Sequence, residues 1–239
     1  GTMTLSAGLN VALSSVGGAF TNQSGGTVTA NGRDLIRLGS TGTSFTNAAG
    51  ATFKGTATNT AIFAQPATIA NSGTVDIIGA IEMYNNTIFT NNACGKFKVT
   101  GSLFNQTGST LSNVGFLHVT DNFSNTGTAT NTGVLKYNTA SGTITNSGNA
   151  SVRVNNTPTP IFTYGGTFNG TVNGIFKDSL EIQSAGNFMA PNTFIGSNTL
   201  PVGLQTLYAK ITPFGGACMY IVPFTYVYTP PRSCTTQPT

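Results

Sequence analysis

The stretch "FTNQSGGTV", residues 20–28, returns in variant form as "FTNAAGATF" from Phe45, "IANSGTV" from Ile69, "FTNNACGKF" from Phe89 and "ITNSGNASV" from Ile144. Each copy joins an apolar residue, an Asn two positions on and a run of small residues. Asn and Gly are the residues that turn a chain sharply, because both tolerate positive φ. In the first copy this pattern assigns Phe20 to the interior and Gly25 and Gly26 to positive-φ corner positions. Val28 then starts an inward column, and Asn22 stacks on the Asn of a following coil, as in side-chain amide ladders.

The segments after the corners share a second register: "GTVTANG" (26–32), "ATFKGT" (51–56), "GTVDIIG" (73–79), "GKFKVTG" (95–101), "GFLHVTD" (115–121), "GVLKYNT" (133–139) and "ASVRVNN" (150–156). Val28, Phe53, Val75, Phe97, Leu117, Leu135 and Val152 form one apolar column. Two residues further on, Ala30, Gly55, Ile77, Val99, Val119, Tyr137 and Val154 form another, as side chains on one face of a strand should. Between them lie Thr29, Lys54, Asp76, Lys98, His118, Lys136 and Arg153, which alternation turns outward. Along the first column the intervals are 25, 22, 22, 20, 18 and 17 residues. That is the period of a solenoid rather than of a sandwich. The expected fold is therefore all-β: a right-handed parallel β-helix of about seven coils, narrowing toward the C-terminus.

Composition fits this reading. Only 7% of the 239 residues are charged, against about 25% in ordinary globular chains. The surface must then be wetted by Thr, Asn, Ser and Gly, residues of strands and turns rather than of helices. Hydrophobic content of 38% with 16 Phe argues against disorder. The net charge of +4 is too dilute for a nucleic-acid surface, and the longest apolar runs, such as "MYIVPF" (219–224), are too short to insert in a membrane. The organisation expected is a lead-in strand and cap over 1–19, the β-helix over 20–174 and a β-rich cap over 175–239 that includes a small antiparallel sheet. In that last part the register breaks, prolines accumulate, and Phe224, Tyr226 and Tyr228 share one face of a strand. Those aromatics either cover the last coil or form a binding platform.

The alternation of "N-x-G-T" strands with "F-x-N-x-x-G" corners over roughly residues 20–174 resembles the degenerate repeats of bacterial surface proteins. These are the right-handed β-helices of the filamentous-haemagglutinin and autotransporter-passenger type, and especially the Asn/Thr/Gly-rich repeats of Bacteroidetes exoproteins. The resemblance implies a secreted, extracellular or cell-surface rod that attaches cells or builds filaments, without a cofactor. Such a fold carries many functions.

Chemistry has few places to reside. The outward column Asp76, Lys98, His118, Lys136 and Arg153 gathers the mixed titratable groups, at about 5 Å per coil. One reading makes His118 a base toward an acidic sugar held by Lys136 and Arg153, in a polysaccharide-active enzyme or a tailspike-like glycan-binding protein using Asp76, Lys98 and His118. The plainer reading is a solvated sheet face in which Lys54, Lys98, His118, Lys136 and Arg153 attract an anionic polymer or surface glycan by charge alone. One His, scattered carboxylates and three dispersed Cys supply neither a metal site nor a cofactor motif. Cys218 and Cys234 flank a short segment and form either a disulfide of an oxidising compartment or two buried thiols, while Cys94 stands apart. The sequence thus favours a non-enzymatic rod that self-associates through its strand edges.

Overall fold

A computed structural model describes residues 1–143 other than residue 9 and, beyond them, the strand segments named below, the short strands Phe188–Met189 and Thr193–Phe194, and Cys218. The chain forms a parallel β-solenoid of about six turns without helix among the described residues. Each turn has three faces. The first carries Thr2–Ser6, Thr27–Gly32, Lys96–Thr100 and the leading halves of Thr52–Ala64, Thr74–Met83, Phe116–Asn125 and Val134–Ser141. The second carries Val11–Ser15, Asp34–Leu38 and Leu103–Asn105 with the trailing halves of those longer strands. These two faces are one sheet bent along its length. The third is a separate seven-stranded sheet from Ala19–Asn22 to Thr145–Asn146.

The expected columns stack rung on rung. Val28, Phe53, Val75, Phe97, Leu117 and Leu135 are buried, as are Ala30, Ile77, Val99 and Val119, and Tyr137 packs against them partly buried. Phe45, Ile69, Phe89 and Leu111 enter the same core from the third face, Phe45 meeting Phe53 and Phe89 meeting Phe97 edge to face at centroid distances of 5.1 and 5.0 Å. Each fully buried side chain of this size contributes about 1.5–3 kcal/mol of transfer free energy, against the entropy of ordering it.

The corner Asn residues do more than stack. Asn22 Nδ2 donates to Asn47 Oδ1, and the relay continues through Asn71, Asn91 and Asn113 to Asn131 at 2.9, 2.9, 2.8, 2.7 and 2.6 Å. The same amide groups donate to the backbone carbonyls of Thr52, Thr74, Lys96, Phe116 and Val134 at 3.0–3.2 Å. All six Asn are buried. Asn113 and Asn131 belong to "LSNVG" and "TNTGV", corners without the leading aromatic. A shorter ladder joins Asn105 to Asn125 at 2.7 Å. It starts where Met83 occupies the rung below, so Asn105 Oδ1 accepts no hydrogen bond.

Two local expectations are corrected. Gly25 has φ 71°, but Gly26 does not adopt positive φ. It is needed for closeness instead, since a Cβ there would lie 2.4 Å from Asn22 Oδ1. The parallel ladder is described as far as Thr145–Asn146 rather than to residue 174. Ser151–Val154, expected as the seventh coil, pairs antiparallel with Phe162–Gly165. Thr171–Phe176, Gly203–Thr212 and Tyr220–Tyr228 form a three-stranded antiparallel sheet. The side chains of Phe224, Tyr226 and Tyr228 lie outside the described residues. The narrowing has a local cause: the bent strand of one turn, Thr52–Ala64, has 13 residues and that of the next, Thr74–Met83, has 10, with register shifts at Thr56, Thr60 and Ile62 absorbing the difference.

Removing one ladder amide leaves a buried carbonyl of the next coil unpartnered, which costs about 1–3 kcal/mol. Asn91→Ala is therefore expected to lower the urea midpoint by that equivalent, while Thr90→Ala, on the outward side of the same strand, changes it little. Equal midpoints for the two variants would contradict the role given to the ladder.

Candidate functional site

Strand alternation and parallel register bring Lys54, Asp76, Lys98, His118 and Lys136 into one outward column on the first face, on successive rungs. Lys98 Nζ lies 3.4 Å from Asp76 Oδ1, with both side chains close to half exposed. An ion pair so exposed adds little stability. Arg153 lies in the antiparallel strand Ser151–Val154, opposite Thr163, and its side chain is outside the described residues.

His118 is partly buried. Burial, then the charges of Lys136 and Lys98, lower its pKa to about 4, against a smaller opposing influence of Asp76. Burial also lowers the pKa of Lys136. A general base works best when its pKa lies near the working pH, and an imidazole of pKa about 4 is neutral but weakly basic at neutrality. A shallow groove of about 290 Å³ is lined by Thr41, Gly42, Pro66, Ala67, Thr68, Asn86 and Ile88, none of them in this column. No cluster of three metal-ligating side chains occurs among the described residues.

The column has a neighbour the sequence did not disclose. Cys218 is bonded to Cys94, 124 positions earlier, with Cα atoms 5.2 Å apart. The pairing of Cys218 with Cys234 is thereby corrected. The preference for a short loop misled, because the fold returns the C-terminal chain to the flank of the solenoid. Tyr220 follows, 3% exposed, stacked on Phe116 at 5.6 Å and hydrogen-bonded to the Cys94 backbone. Phe116 in turn lies 6.2 Å from the His118 ring. The signal in the sequence was Cys94 itself. It holds φ 68° at the corner position that Gly25 and Gly50 fill at 71° and 74°, a left-handed conformation costing a residue with a Cβ about 1–2 kcal/mol.

A second outward column, on the second face, also escaped sequence reading, which followed only the first strand of each coil. Arg37, Phe63, Glu82 and Phe104 occupy successive rungs there. The Arg37 guanidinium sits 4.9 Å from the Phe63 ring centre, Phe63 is 5.6 Å from Tyr84, and Tyr84 donates its hydroxyl to Glu82 Oε2 at 3.3 Å. Burial, with the nearby Glu82 carboxylate, raises the Tyr84 pKa. Near its start the same face holds buried Asp34. Its pKa is pushed up by burial and down, further, by hydrogen bonds from Asn59, Arg33 and the Thr60 amide, so that the net effect lowers it. Asp34 thus serves to close the corner around 58–60.

Among known proteins, no family model, no curated sequence and no solved structure matches the chain.

Two outcomes follow for this region. Because the folded-state pKa of His118 lies below its unfolded value of 6.5, its contribution to stability is complete above pH 6.5 and is lost as pH falls toward 4. The imidazole NMR shifts should stay flat from pH 8 to about 5.5; a midpoint near 6.5 would contradict the buried setting. Cys94→Gly, which restores the corner residue of neighbouring coils, should leave the β-sheet circular dichroism intact and speed protease cleavage after residue 200. Unchanged cleavage would show that the disulfide does not hold the C-terminal chain.

Proposed function

We propose that the chain is a non-enzymatic structural and adhesive module, a rod segment of an extracellular bacterial surface or filament-forming protein. The parallel solenoid fold is consistent with a rod. The observation that carries the reading is the unbroken relay of buried amides from Asn22 to Asn131, which ties successive coils into one stack. Thr2–Ser6, Val11–Ser15 and Ala19–Asn22 each have a described strand partner on one side only. Phe20 stacks on Phe45, 5.9 Å away with parallel ring planes, and stays partly exposed, while Met3 and Val16 of the same coil are exposed. Unpaired N–H and C=O groups beside apolar side chains are a template for a further coil or a second copy. With 7% charged residues, little repulsion opposes such packing. The disulfide suits an oxidising, extracellular setting, and no helix among the described residues is long and apolar enough to cross a membrane.

The purified chain, imaged by negative stain and sedimented at rising concentration, should form end-to-end or lateral assemblies, and Val16→Lys with Phe20→Lys should dissolve them. Monodisperse monomers throughout would sink the self-association. Turnover of an anionic polysaccharide that disappears in His118→Ala would replace this reading with an enzymatic one.

A further inference from the structure

We propose that the third face of the solenoid is an ice-binding surface. Its strands Ala19–Asn22, Thr43–Asn47, Ala67–Asn71, Ile88–Asn91, Thr110–Asn113 and Thr128–Asn131 stack in parallel register. Alternation turns two columns outward. One runs through Ala19, Ser44, Thr68, Ile88, Thr110 and Thr128, the other through Thr21, Thr46, Ala70, Thr90, Ser112 and Thr130. No position in either column is charged or aromatic, unlike the outward columns of the other two faces. Ala19, Thr21, Thr68, Ile88, Thr110 and Thr128 are exposed and the others partly buried. Apart from Thr130, whose Oγ1 lies 3.5 Å from the Leu111 carbonyl, the hydroxyls of both columns make no hydrogen bond within the described residues. The face thus offers water a two-dimensional array of free hydroxyls and methyls.

The array is regular in both directions, as adsorption to a crystal requires. None of its pairings breaks register, whereas the bent sheet shifts at Thr56, Thr60 and Ile62 and between Val119 and Asn122. Each residue of the second column directly precedes a ladder Asn, so the relay of 2.6–2.9 Å bonds behind it ties rung to rung. Side-chain ladders of this kind hold a many-stranded sheet flat. Rungs then repeat at about 4.8 Å and alternate residues along a strand at about 6.6 Å, close to the two repeats of water oxygens on a prism plane of ice. The side chains suit that lattice. Thr is stiff at χ1, so its hydroxyl and methyl are placed before water orders on them. The methyl orders neighbouring water, while the hydroxyl, both donor and acceptor, bonds that water to the protein. Other occupants fit worse. An anionic polymer finds no cation in the array, a sugar ring finds no aromatic platform, and a protein interface lacks its usual aromatic and Arg anchors.

Ice as a target extends the adhesive function proposed above and rests on that reading only for its biological use. The two fail separately, because assembly is read above freezing in images and sedimentation, and ice adsorption from crystals grown in the protein solution. The full chain is examined by nanolitre osmometry and by its partition into slowly grown ice. It should shape the crystals, hold back their growth below the melting point and enter the ice. Thr90→Lys, which raises a charge in the middle of the array, should abolish all three effects. Thr56→Lys, at an exposed position of the first face, should retain them. Ala70→Thr, which completes the second column between Thr46 and Thr90, should widen the gap between melting and growth; thermal melts verify that each variant folds. Unshaped crystals with the protein excluded from the ice, undiminished activity of folded Thr90→Lys, or an equal loss in folded Thr56→Lys would each overturn the inference. So would a lateral dimer that Thr90→Lys dissociates without any effect on ice, which would assign the face to a second copy.

Discussion

One buried amide handing a hydrogen bond to the next fixes this solenoid. Successive ladder Asn lie 25, 24, 20, 22 and 18 positions apart, yet the Asn-to-Asn bond stays between 2.6 and 2.9 Å. Coil length therefore varies while this corner does not. A hydrogen bond is directional, and moving an Asn by one residue would turn its amide outward and leave two coils with unpaired buried groups. Hydrophobic columns alone would tolerate a sliding register. The ladder makes one register far better than the others, and the column from Val28 to Leu135 then stacks side chain on side chain.

From that constraint the other faces follow. Once the Asn corner at the end of the third face is locked, spare residues of the longer turns must be taken up elsewhere, and the register shifts at Thr56, Thr60 and Ile62 show where. The Asn105–Asn125 pair repeats the device at a second corner, over the two turns that Met83 does not interrupt. Cys94 shows the converse. Where a Gly would have served the corner, a side chain is kept at unfavourable φ because it ties down Cys218. Tyr220 thereby covers Phe116 beside the charged column.

Much of the fold was legible because alternation and spacing are local in sequence. "GKFKVTG" and "GFLHVTD" announce their inward and outward residues directly, and the rung-by-rung pairing of Lys98 with His118 follows from them. The antiparallel pairing of Ser151–Val154 was not legible, since "ASVRVNN" carries the same alternation as its predecessors and alternation does not encode strand direction. The Cys94 bond was hidden for a different reason, because nothing local says which distant segment will return to a corner. The outward row of Phe63, Glu82 and Phe104 was missed because the second strand of each turn lacks a Gly corner to align it.

The account turns on the ladder being buried and paired in solution, and side-chain amide hydrogen exchange reads that property directly. With the Asn side-chain NH₂ resonances assigned, the Nδ2 protons of Asn47, Asn71, Asn91 and Asn113 should exchange orders of magnitude more slowly than those of exposed Asn85, at a rate set by opening of the coils. Exchange of the ladder amides at the rate of Asn85, in protein that retains its β-sheet signal, would contradict that pairing.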